Sequence, residues 1–127
     1  DIVVPISQTA DFIAFVGELE RETGVQMVSF GHAGDGNVHL CVVRGARSQH
    51  AWQQALHAVM PRIYDQAYTL GGLASGEHGI GLSKRPYFLH NTPAANLAVM
   101  NRIKDALDER HILNDHKSYI KENGAGQ

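Results

Sequence analysis

The apolar positions of the chain repeat with two different spacings, which predicts both strands and helices. Three short apolar segments rich in β-branched residues predict strands at residues 2–5, 25–30 and 38–43. After the first strand, steps of three and four predict a helix that Ser7 or Thr9 caps and Gly24 ends. Its apolar face comprises Phe12, Phe15, Val16 and Leu19.

A second apolar stripe predicts the clearest helix of the chain, with Ser48 at its start and Gly71 just beyond its end. Pro61 lies inside this stripe and has no backbone N–H, so we expect the helix to kink or to split in two. Residues 73–75 then predict a short strand. The stripe comprises Trp52, Leu56, Val59, Ile63, Ala67 and Leu70.

A last helix is predicted to start at Thr92 and Pro93, because a capping hydroxyl followed by proline is a typical helix start. The order strand, helix, strand, strand, helix, strand predicts an α+β fold, namely a ferredoxin-like antiparallel sheet with helices on one face plus a C-terminal helix. The polar residues 121–127 predict a tail, so the domain covers residues 1–120. The expected buried face of the last helix comprises Leu97, Met100, Ile103 and Leu107.

Composition favours a single globular domain, since 43% of the residues are hydrophobic and 19% are charged. The net charge of -2 provides no basic surface for nucleic acid, and no apolar run is long enough to span a membrane. The single cysteine, Cys41, excludes an internal disulfide and predicts a reducing, cytoplasmic location. Because the chain begins at Asp1 without Met or a signal pattern, we expect it to be a piece of a longer protein.

Two glycine-rich segments carry most of the candidate chemistry: residues 31–39, GHAGDGNVH, and residues 76–81, GEHGIG. Glycine lets the backbone bend where larger residues would clash, so that polar side chains can converge on a small ligand. Imidazole nitrogen and carboxylate oxygen together suit a divalent ion such as zinc, manganese or iron. The two segments therefore predict part of an active site.

The first segment predicts a long-looped hairpin with residues 31–37 as the loop, and we consider the case in which its turn lies between Ala33 and Gly36. In that register His32 lies opposite Asn37 and diagonal to His39, on one face of the sheet. Diagonal neighbours on one face are about 7 Å apart, close enough for two imidazoles to bind one ion at ~2.1 Å each.

Two imidazoles leave a cation under-coordinated, and Glu77 is the predicted third ligand, with further positions open for water or substrate. We expect the neighbouring His78 to point away from Glu77, towards the substrate, and to act as a base near neutral pH. Lys84 or Arg85, which follow the second segment, could pair with a substrate carboxylate.

Simpler roles compete for some of these residues. Asp35 lies between two glycines, and a turn residue bonded to its own backbone explains it as well as support for a metal ligand does. Cys41 lies in an apolar run, which favours a buried structural thiol. No functional role is predicted for the remaining histidines, His50, His57, His90, His111 and His116.

Residues 31–39 and 76–81 together resemble the paired motifs of the C-terminal domain of FAD-linked oxidases. That group includes D-lactate dehydrogenase, the glycolate oxidase FAD subunit and D-2-hydroxyglutarate dehydrogenase, within the vanillyl-alcohol-oxidase type of flavoproteins. The spacing through the last helix to residues 112–114 is also similar, so the resemblance covers nearly the whole chain.

The resemblance implies a role for each matching position. His32, His39 and Glu77 would bind a divalent metal, which is zinc in some relatives, and His78 would deprotonate the 2-hydroxyl of the substrate. Asn37 would hydrogen-bond the substrate or the flavin. The hydroxyl and carboxylate of the substrate would chelate the ion while hydride leaves C2 for the flavin N5.

Two departures limit what the resemblance carries over. Family members continue the last segment as Leu-Asn-Pro-Gly-Lys, whereas this chain has Leu113-Asn114-Asp115-His116-Lys117, which bears on the flavin contact expected of Asn114. The chain also lacks a dinucleotide-binding glycine fingerprint after a strand. The fragment alone is therefore expected neither to hold FAD firmly nor to turn over.

The sequence thus predicts the substrate- and metal-binding part of a FAD-dependent D-2-hydroxy-acid dehydrogenase or oxidase. Its expected cofactors are FAD and a divalent metal, and its expected partners are a small 2-hydroxy acid and the missing FAD-binding domain. Apolar surface left by that domain would favour a homodimer, and the electron acceptor stays open. The alternatives are a stand-alone ferredoxin-like metal- or ligand-binding module and a metal-dependent hydrolase that activates water.

Overall fold

A β-hairpin forms the centre of the fold. Its strands, β2 (Met27–His32) and β3 (Asn37–Val42), pair antiparallel across a 3-10 turn at Ala33–Asp35. A short strand, β1 (Ile2–Val3), pairs antiparallel with the free edge of β3, which gives the order β1-β3-β2. The predicted hairpin is confirmed, but the long loop expected at residues 31–37 is wrong, because the strands extend to His32 and Asn37 and leave a short turn.

The computed structural model describes residues 1–114 and 117. It separates into two units, Asp1–Gly79 and Ile80–Gln127. The tail predicted at residues 121–127 lies outside the described residues. Within the described part of the chain, no helix combines the length and the apolar character that crossing a membrane requires.

Two helices cover one face of the sheet in the first unit. They are α1 (Thr9–Thr23), which packs on β2, and α2 (Gln49–Thr69), which packs on β1 and on α1. The opposite face of the sheet is open, and Val28 and Phe30 are 46% and 59% exposed there. The core between helices and sheet includes Ile2, Phe12, Val16, Leu19, Met27, Val38, Val59, Ile63 and Ala67.

The helix ends in this unit follow the predictions only in part. Gly24 ends α1 in the left-handed conformation, and Ser48 caps α2 by accepting a hydrogen bond from the Ala51 N–H. Neither Ser7 nor Thr9 caps α1, because Ser7 lies in a preceding 3-10 turn and Thr9 is already helical.

Two further expectations in the first unit are not met in full. The split expected at Pro61 does not occur, because α2 runs unbroken through this exposed proline, with Val59 and Ile63 buried on either side of it, and the kink stays a prediction. The strand predicted at residues 73–75 is reduced to one bridge between Leu73 and Val3, because β1 is too short to pair further.

The second unit contains α3 (Arg85–Asn91), which the sequence pattern did not predict, and α4 (Ala94–Leu107). Pro93 rather than Thr92 occupies the capping position of α4, and no side chain caps that end. The chain is thus an α+β protein with a three-stranded antiparallel sheet and, among the described residues, four α-helices.

The predicted buried face of the last helix is wrong. Met100, Ile103 and Leu107 share a face of α4, as their spacing requires, but they are 40%, 55% and 81% exposed. Leu97 is half-buried. Helical spacing determines which residues share a face, whereas the burial of that face depends on what packs against it.

The buried side chains at the end of α4 are instead an ion pair. Lys104 and Asp108 are 9% and 6% exposed, and the Lys104 ammonium donates to the Asp108 carboxylate. Asp108 also accepts from the backbone N–H groups of Ile112 and Leu113 at 3.1 and 3.0 Å, so it fastens this segment to the helix. The hydrogen bond from Lys104 is the main cause, and those from the backbone of Leu113 and Ile112 are further causes, of the lowering of the pKa of Asp108 from 3.8 to about 2.

We expect Asp108→Asn to weaken the hydrogen bonds that hold residues 112–113 to α4. Because the pKa of Asp108 is depressed, its stabilising effect is complete above pH 3.8 and is lost as the pH falls through about 2. Hydrogen–deuterium exchange of residues 108–113 should therefore show lower protection in the variant at pH 7, with a difference that shrinks towards pH 2. Replacing the exposed Glu109 by Gln is the matched control, and equal protection of Asp108→Asn and wild type at pH 7 would contradict the prediction.

Candidate metal centre

The hairpin places two histidines on the open face of the sheet. His32 pairs with Asn37, and Phe30 pairs with His39, so these four side chains lie on the same face. His32 is therefore diagonal to His39, as the sequence predicted. The ring centroids of His32 and His39 are 5.3 Å apart.

The second glycine-rich segment brings a carboxylate to these imidazoles. Glu77 Oε1 lies 3.2 Å from His32 Nε2, 3.4 Å from His39 Nε2 and 3.8 Å from His78 Nε2. Residues separated by about forty positions along the chain thus meet around one carboxylate oxygen. The structure brings together all four residues to which the sequence assigned metal or catalytic roles.

Gly76 of the second segment and Gly31 within the hairpin both lie against Asn37. A Cβ on Gly76 would lie 2.7 Å from Asn37 Oδ1, and one on Gly31 would lie 2.3 Å from the Asn37 carbonyl oxygen. Gly31 also has a φ of 147°, a conformation that side chains rarely allow. A side chain at Gly31 would displace the hairpin backbone, and one at Gly76 would displace the Asn37 side chain.

The Asn37 side chain contacts the carboxylate of Glu77. The Asn37 side chain is 7% exposed, and its Nδ2 donates a hydrogen bond to Glu77 Oε1 at 3.3 Å. Its Oδ1 is buried and has no hydrogen-bond partner among the described residues. The contact with substrate or flavin expected of Asn37 stays a prediction, and the structure adds a contact that orients Glu77.

The His78 side chain does not point away from Glu77 as the sequence predicts. Residues 76–78 form a bend instead of an extended segment, so the side chains of Glu77 and His78 both face the cluster. The His78 ring stacks on His39 with centroids 4.8 Å apart and an interplanar angle of 5°. The side chain of His78 is nevertheless 60% exposed, against 12% for His39, so His78 is the more accessible of the two.

The environment of His39 favours its neutral form. Burial is the main reason why the pKa of His39 is lowered, and the neighbouring His78 imidazole lowers it further. A neutral imidazole has a free ring nitrogen with which to bind a metal. His39 Nδ1 is buried without a hydrogen-bond partner among the described residues, 3.8 Å from Asp1 Oδ1.

The distances from the Glu77 carboxylate to each of the two imidazoles fit a single small cation. Two ligand atoms ~2.1 Å from one ion, at the angles of tetrahedral or octahedral coordination, are about 3.0 to 3.4 Å apart. The distances from Glu77 Oε1 to the two Nε2 atoms, 3.2 and 3.4 Å, fall in this range. Two imidazoles and one carboxylate form a donor set that suits zinc, manganese or iron.

Asp1 is a member of the cluster that the sequence analysis missed. Asp1, His39, Glu77 and His78 each offer one potential ligand atom, and these atoms all lie within 4.8 Å of one another. The alternation of the first strand carries a signal, because Asp1 must share a face with Val3. This alternation places Asp1 beside His39 only when β1 pairs with β3, and the sequence alone does not predict that pairing.

Four further residues for which the sequence predicted a role are Lys84, Asn114, Asp35 and Cys41. Lys84 and Asn114 belong to the second unit, where burial lowers the pKa of Lys84 and Asn114 Oδ1 accepts a hydrogen bond from Lys117 at 3.0 Å. Their substrate and flavin roles stay predictions. Asp35 lies exposed in the hairpin turn. The expectation of a buried Cys41 is wrong, because Cys41 is exposed on β3, on the same face as His39.

Comparison with known proteins gives one family. Residues 1–118 match the family model described as FAD linked oxidases, C-terminal domain. The chain is 34% identical to a D-lactate dehydrogenase of Anaerostipes hadrus over 95% of its length, and 32% identical to the glycolate oxidase subunit GlcD of Bacillus subtilis over 96%. It is 33% identical to the mitochondrial D-2-hydroxyglutarate dehydrogenase of Danio rerio over 93% of its length. The chain spans 26%, 26% and 21% of these relatives, respectively.

Proposed function

We propose that this chain, which belongs to the family of C-terminal domains of FAD-linked oxidases, supplies the substrate and metal site of a flavin-dependent D-2-hydroxy-acid dehydrogenase or oxidase. One observation carries the proposal: Glu77 Oε1 lies within 3.4 Å of the Nε2 atoms of both His32 and His39. The names of the three relatives add support, because D-lactate, glycolate and D-2-hydroxyglutarate are all 2-hydroxy carboxylates.

In this proposal His32, His39 and Glu77 hold a divalent cation on the open face of the sheet. The chemistry that the cation supplies when bound is a positive charge that lowers the pKa of a coordinated substrate hydroxyl. Asn37 holds the Glu77 carboxylate in place through its 3.3 Å hydrogen bond. The exposed fractions of Glu77 and His32, 51% and 56%, leave this side of the cluster open to a substrate.

His78 takes the hydroxyl proton in this proposal. Imidazole is the side chain most often used as a general base, and the 60% exposure of His78 makes it reachable by a substrate bound above the sheet. Its Nε2 lies farther from Glu77 Oε1 than those of His32 and His39, which favours a role as base over a role as ligand. Loss of this proton, together with loss of hydride from C2, converts a 2-hydroxy acid into a 2-oxo acid.

We also propose roles for FAD, Lys84 and Asn114. Bound FAD supplies the hydride acceptor, and we assign its main binding site to a FAD-binding domain that works with this one. Lys84 is proposed to pair with the substrate carboxylate and Asn114 to contact the flavin. A homodimer and a cytoplasmic location are further predictions.

We also propose that the sheet of the first unit is ferredoxin-like. The Leu73–Val3 bridge adds a fourth position next to β1, which gives the order Leu73-β1-β3-β2 with antiparallel neighbours. This order, with both helices on one face, supports a ferredoxin-like sheet whose last strand is reduced to a single bridge.

Flavin reduction tests this function. The full-length protein that contains this domain should be mixed anaerobically with D-lactate, D-2-hydroxyglutarate or glycolate while the flavin absorbance is followed. We expect at least one of these acids to bleach the flavin, and expect L-lactate to be much slower than D-lactate, in keeping with the D-acids for which two of the three relatives are named. A flavin-loaded protein that none of the acids reduces would contradict the proposal and would favour the binding module or the hydrolase.

A further inference from the structure

We infer that Asp1 is a positioning residue of this centre: its carboxylate fixes the backbone of residues 75–78 and thereby directs Glu77 towards the two histidines. The inference concerns the structure of the loop, and it rests on the proposed function only where metal binding and turnover are used to measure its effect. Sequence reasoning and the family comparison assign no role to this residue.

The carboxylate of Asp1 is a shared acceptor for the loop. Its Oδ2 accepts hydrogen bonds from the Ser75 hydroxyl at 2.6 Å and from the backbone N–H groups of Gly76, Glu77 and His78 at 3.2, 3.3 and 3.0 Å. Successive backbone N–H groups that point at one anion form a concave anion site. Asp1 occupies this site with its own side chain and so determines the bend from which Glu77 and His78 project.

The Asp1 carboxylate is buried and therefore depends on its hydrogen-bond donors. The side chain of Asp1 is 1% exposed, and a buried carboxylate is costly unless several donors hydrogen-bond to it. Four donors converge on it here, so the loop is stabilised in one conformation and the carboxylate in one place. Removing the charge would leave three backbone donors of the loop with a weaker acceptor.

Strand pairing connects the same carboxylate to the hairpin. Asp1 precedes β1, and the pairing of Ile2 with Val38 brings Asp1 beside His39 on β3. Asp1 Oδ1 lies 3.8 Å from His39 Nδ1. One buried group thus contacts both parts of the cluster, the loop that carries Glu77 and the strand that carries His39.

Direct coordination of the metal by Asp1 is the competing role. The ligand atoms of Asp1 do lie within 4.8 Å of those of the other cluster members. Oδ2 is occupied by the four donors of the loop, and Oδ1 faces His39 Nδ1 at 3.8 Å, whereas Glu77 faces the other ring nitrogen, Nε2, at 3.4 Å. The geometry therefore favours Asp1 as the group that holds the loop, with Glu77 as the ligand.

The test compares Asp1→Asn with Asp11→Asn in the full-length protein, since Asp11 is an exposed aspartate in the first turn of α1. We expect Asp1→Asn to increase hydrogen–deuterium exchange at residues 76–78 and to weaken Zn²⁺ or Mn²⁺ binding about 10- to 100-fold, the range typical of groups that orient metal ligands. Turnover should recover substantially at saturating metal, because the ligands themselves are intact. Asp11→Asn should behave as wild type in all three measurements.

The other outcomes of the Asp1→Asn experiment either support or overturn the role of Asp1 in the loop. Unchanged exchange together with unchanged metal affinity overturns the inference, and loss of metal with exchange at 76–78 unchanged overturns it by making Asp1 a direct ligand. If wild type binds no metal at all, the proposed function fails, while increased exchange in Asp1→Asn still supports the role of Asp1 in the loop. Should Asp1→Asn fail to fold, Ser75→Ala, which removes one donor, should give smaller changes in the same directions, and wild-type behaviour of that variant would count against the inference.

Discussion

Glu77→Gln is expected to remove the metal from the full-length protein and to abolish its turnover. Glu77 Oε1 is the atom on which His32 and His39 converge, at 3.2 and 3.4 Å, and glutamine retains the shape of the side chain without its charge. Loss of a direct ligand should exceed the effect of an orienting group, so the affinity for Zn²⁺ or Mn²⁺ should fall by more than about 100-fold. Elemental analysis and a metal titration with a competing chelator measure this.

The control for this variant is Glu18→Gln, because Glu18 is an exposed glutamate of α1 whose ion pair with Arg21, at 3.9 Å, is remote from the cluster. His39→Ala should lose metal and turnover as Glu77→Gln does. A Glu77→Gln protein with full metal content would show that this carboxylate is not a ligand, whatever its turnover.

His78→Asn is expected to keep the metal and to slow reduction of the flavin by about 10²- to 10⁴-fold, the usual range for loss of a general base. The two effects should separate because His78 is 60% exposed and its Nε2 lies 3.8 Å from Glu77 Oε1, farther than the predicted ligands. Anaerobic stopped-flow absorbance measures the rate, and elemental analysis measures the metal.

His57→Ala, at an exposed histidine of α2, is the matched control for this experiment. Parallel loss of metal and rate in His78→Asn would reassign His78 as a ligand, in keeping with the group formed by Asp1, His39, Glu77 and His78. Normal flavin reduction in the variant would require a different base.

The hairpin was predictable because local sequence determines its register. Alternation along the second strand fixes which side chains share a face, and the glycine-rich turn fixes the pairing of His32 with Asn37. The convergence of Glu77 on this face followed from chemistry, since two imidazoles need a further ligand. The contact between Gly76 and Asn37 shows why glycine occurs at that position.

The errors have a common physical origin in contacts between distant parts of the chain. The stripe through Met100, Ile103 and Leu107 is regular, but its burial depends on a surface that helical periodicity does not specify. Cys41 is exposed for a similar reason, since the apolar run in which it lies does not determine what packs on its face of the sheet. Asp1 was missed because its importance depends on the pairing of β1 with β3 and on a loop 75 residues away.

The direction of His78 could not be derived from the sequence either. An extended backbone would have separated it from Glu77, whereas hydrogen bonds to Asp1 bend residues 76–78 and turn both side chains towards the cluster. A buried acceptor elsewhere in the chain thus overrides the local tendency of neighbouring side chains to alternate.

Anomalous diffraction from crystals of the full-length protein grown with Zn²⁺ or Mn²⁺ tests the central claim most directly. We predict one peak on the open face of the sheet, about 2.0 to 2.2 Å from His32 Nε2, His39 Nε2 and a Glu77 carboxylate oxygen, and predict that it is absent from Glu77→Gln crystals grown in the same way. A catalytically active protein with no peak at these three residues, or with a peak that persists in Glu77→Gln, would contradict the account.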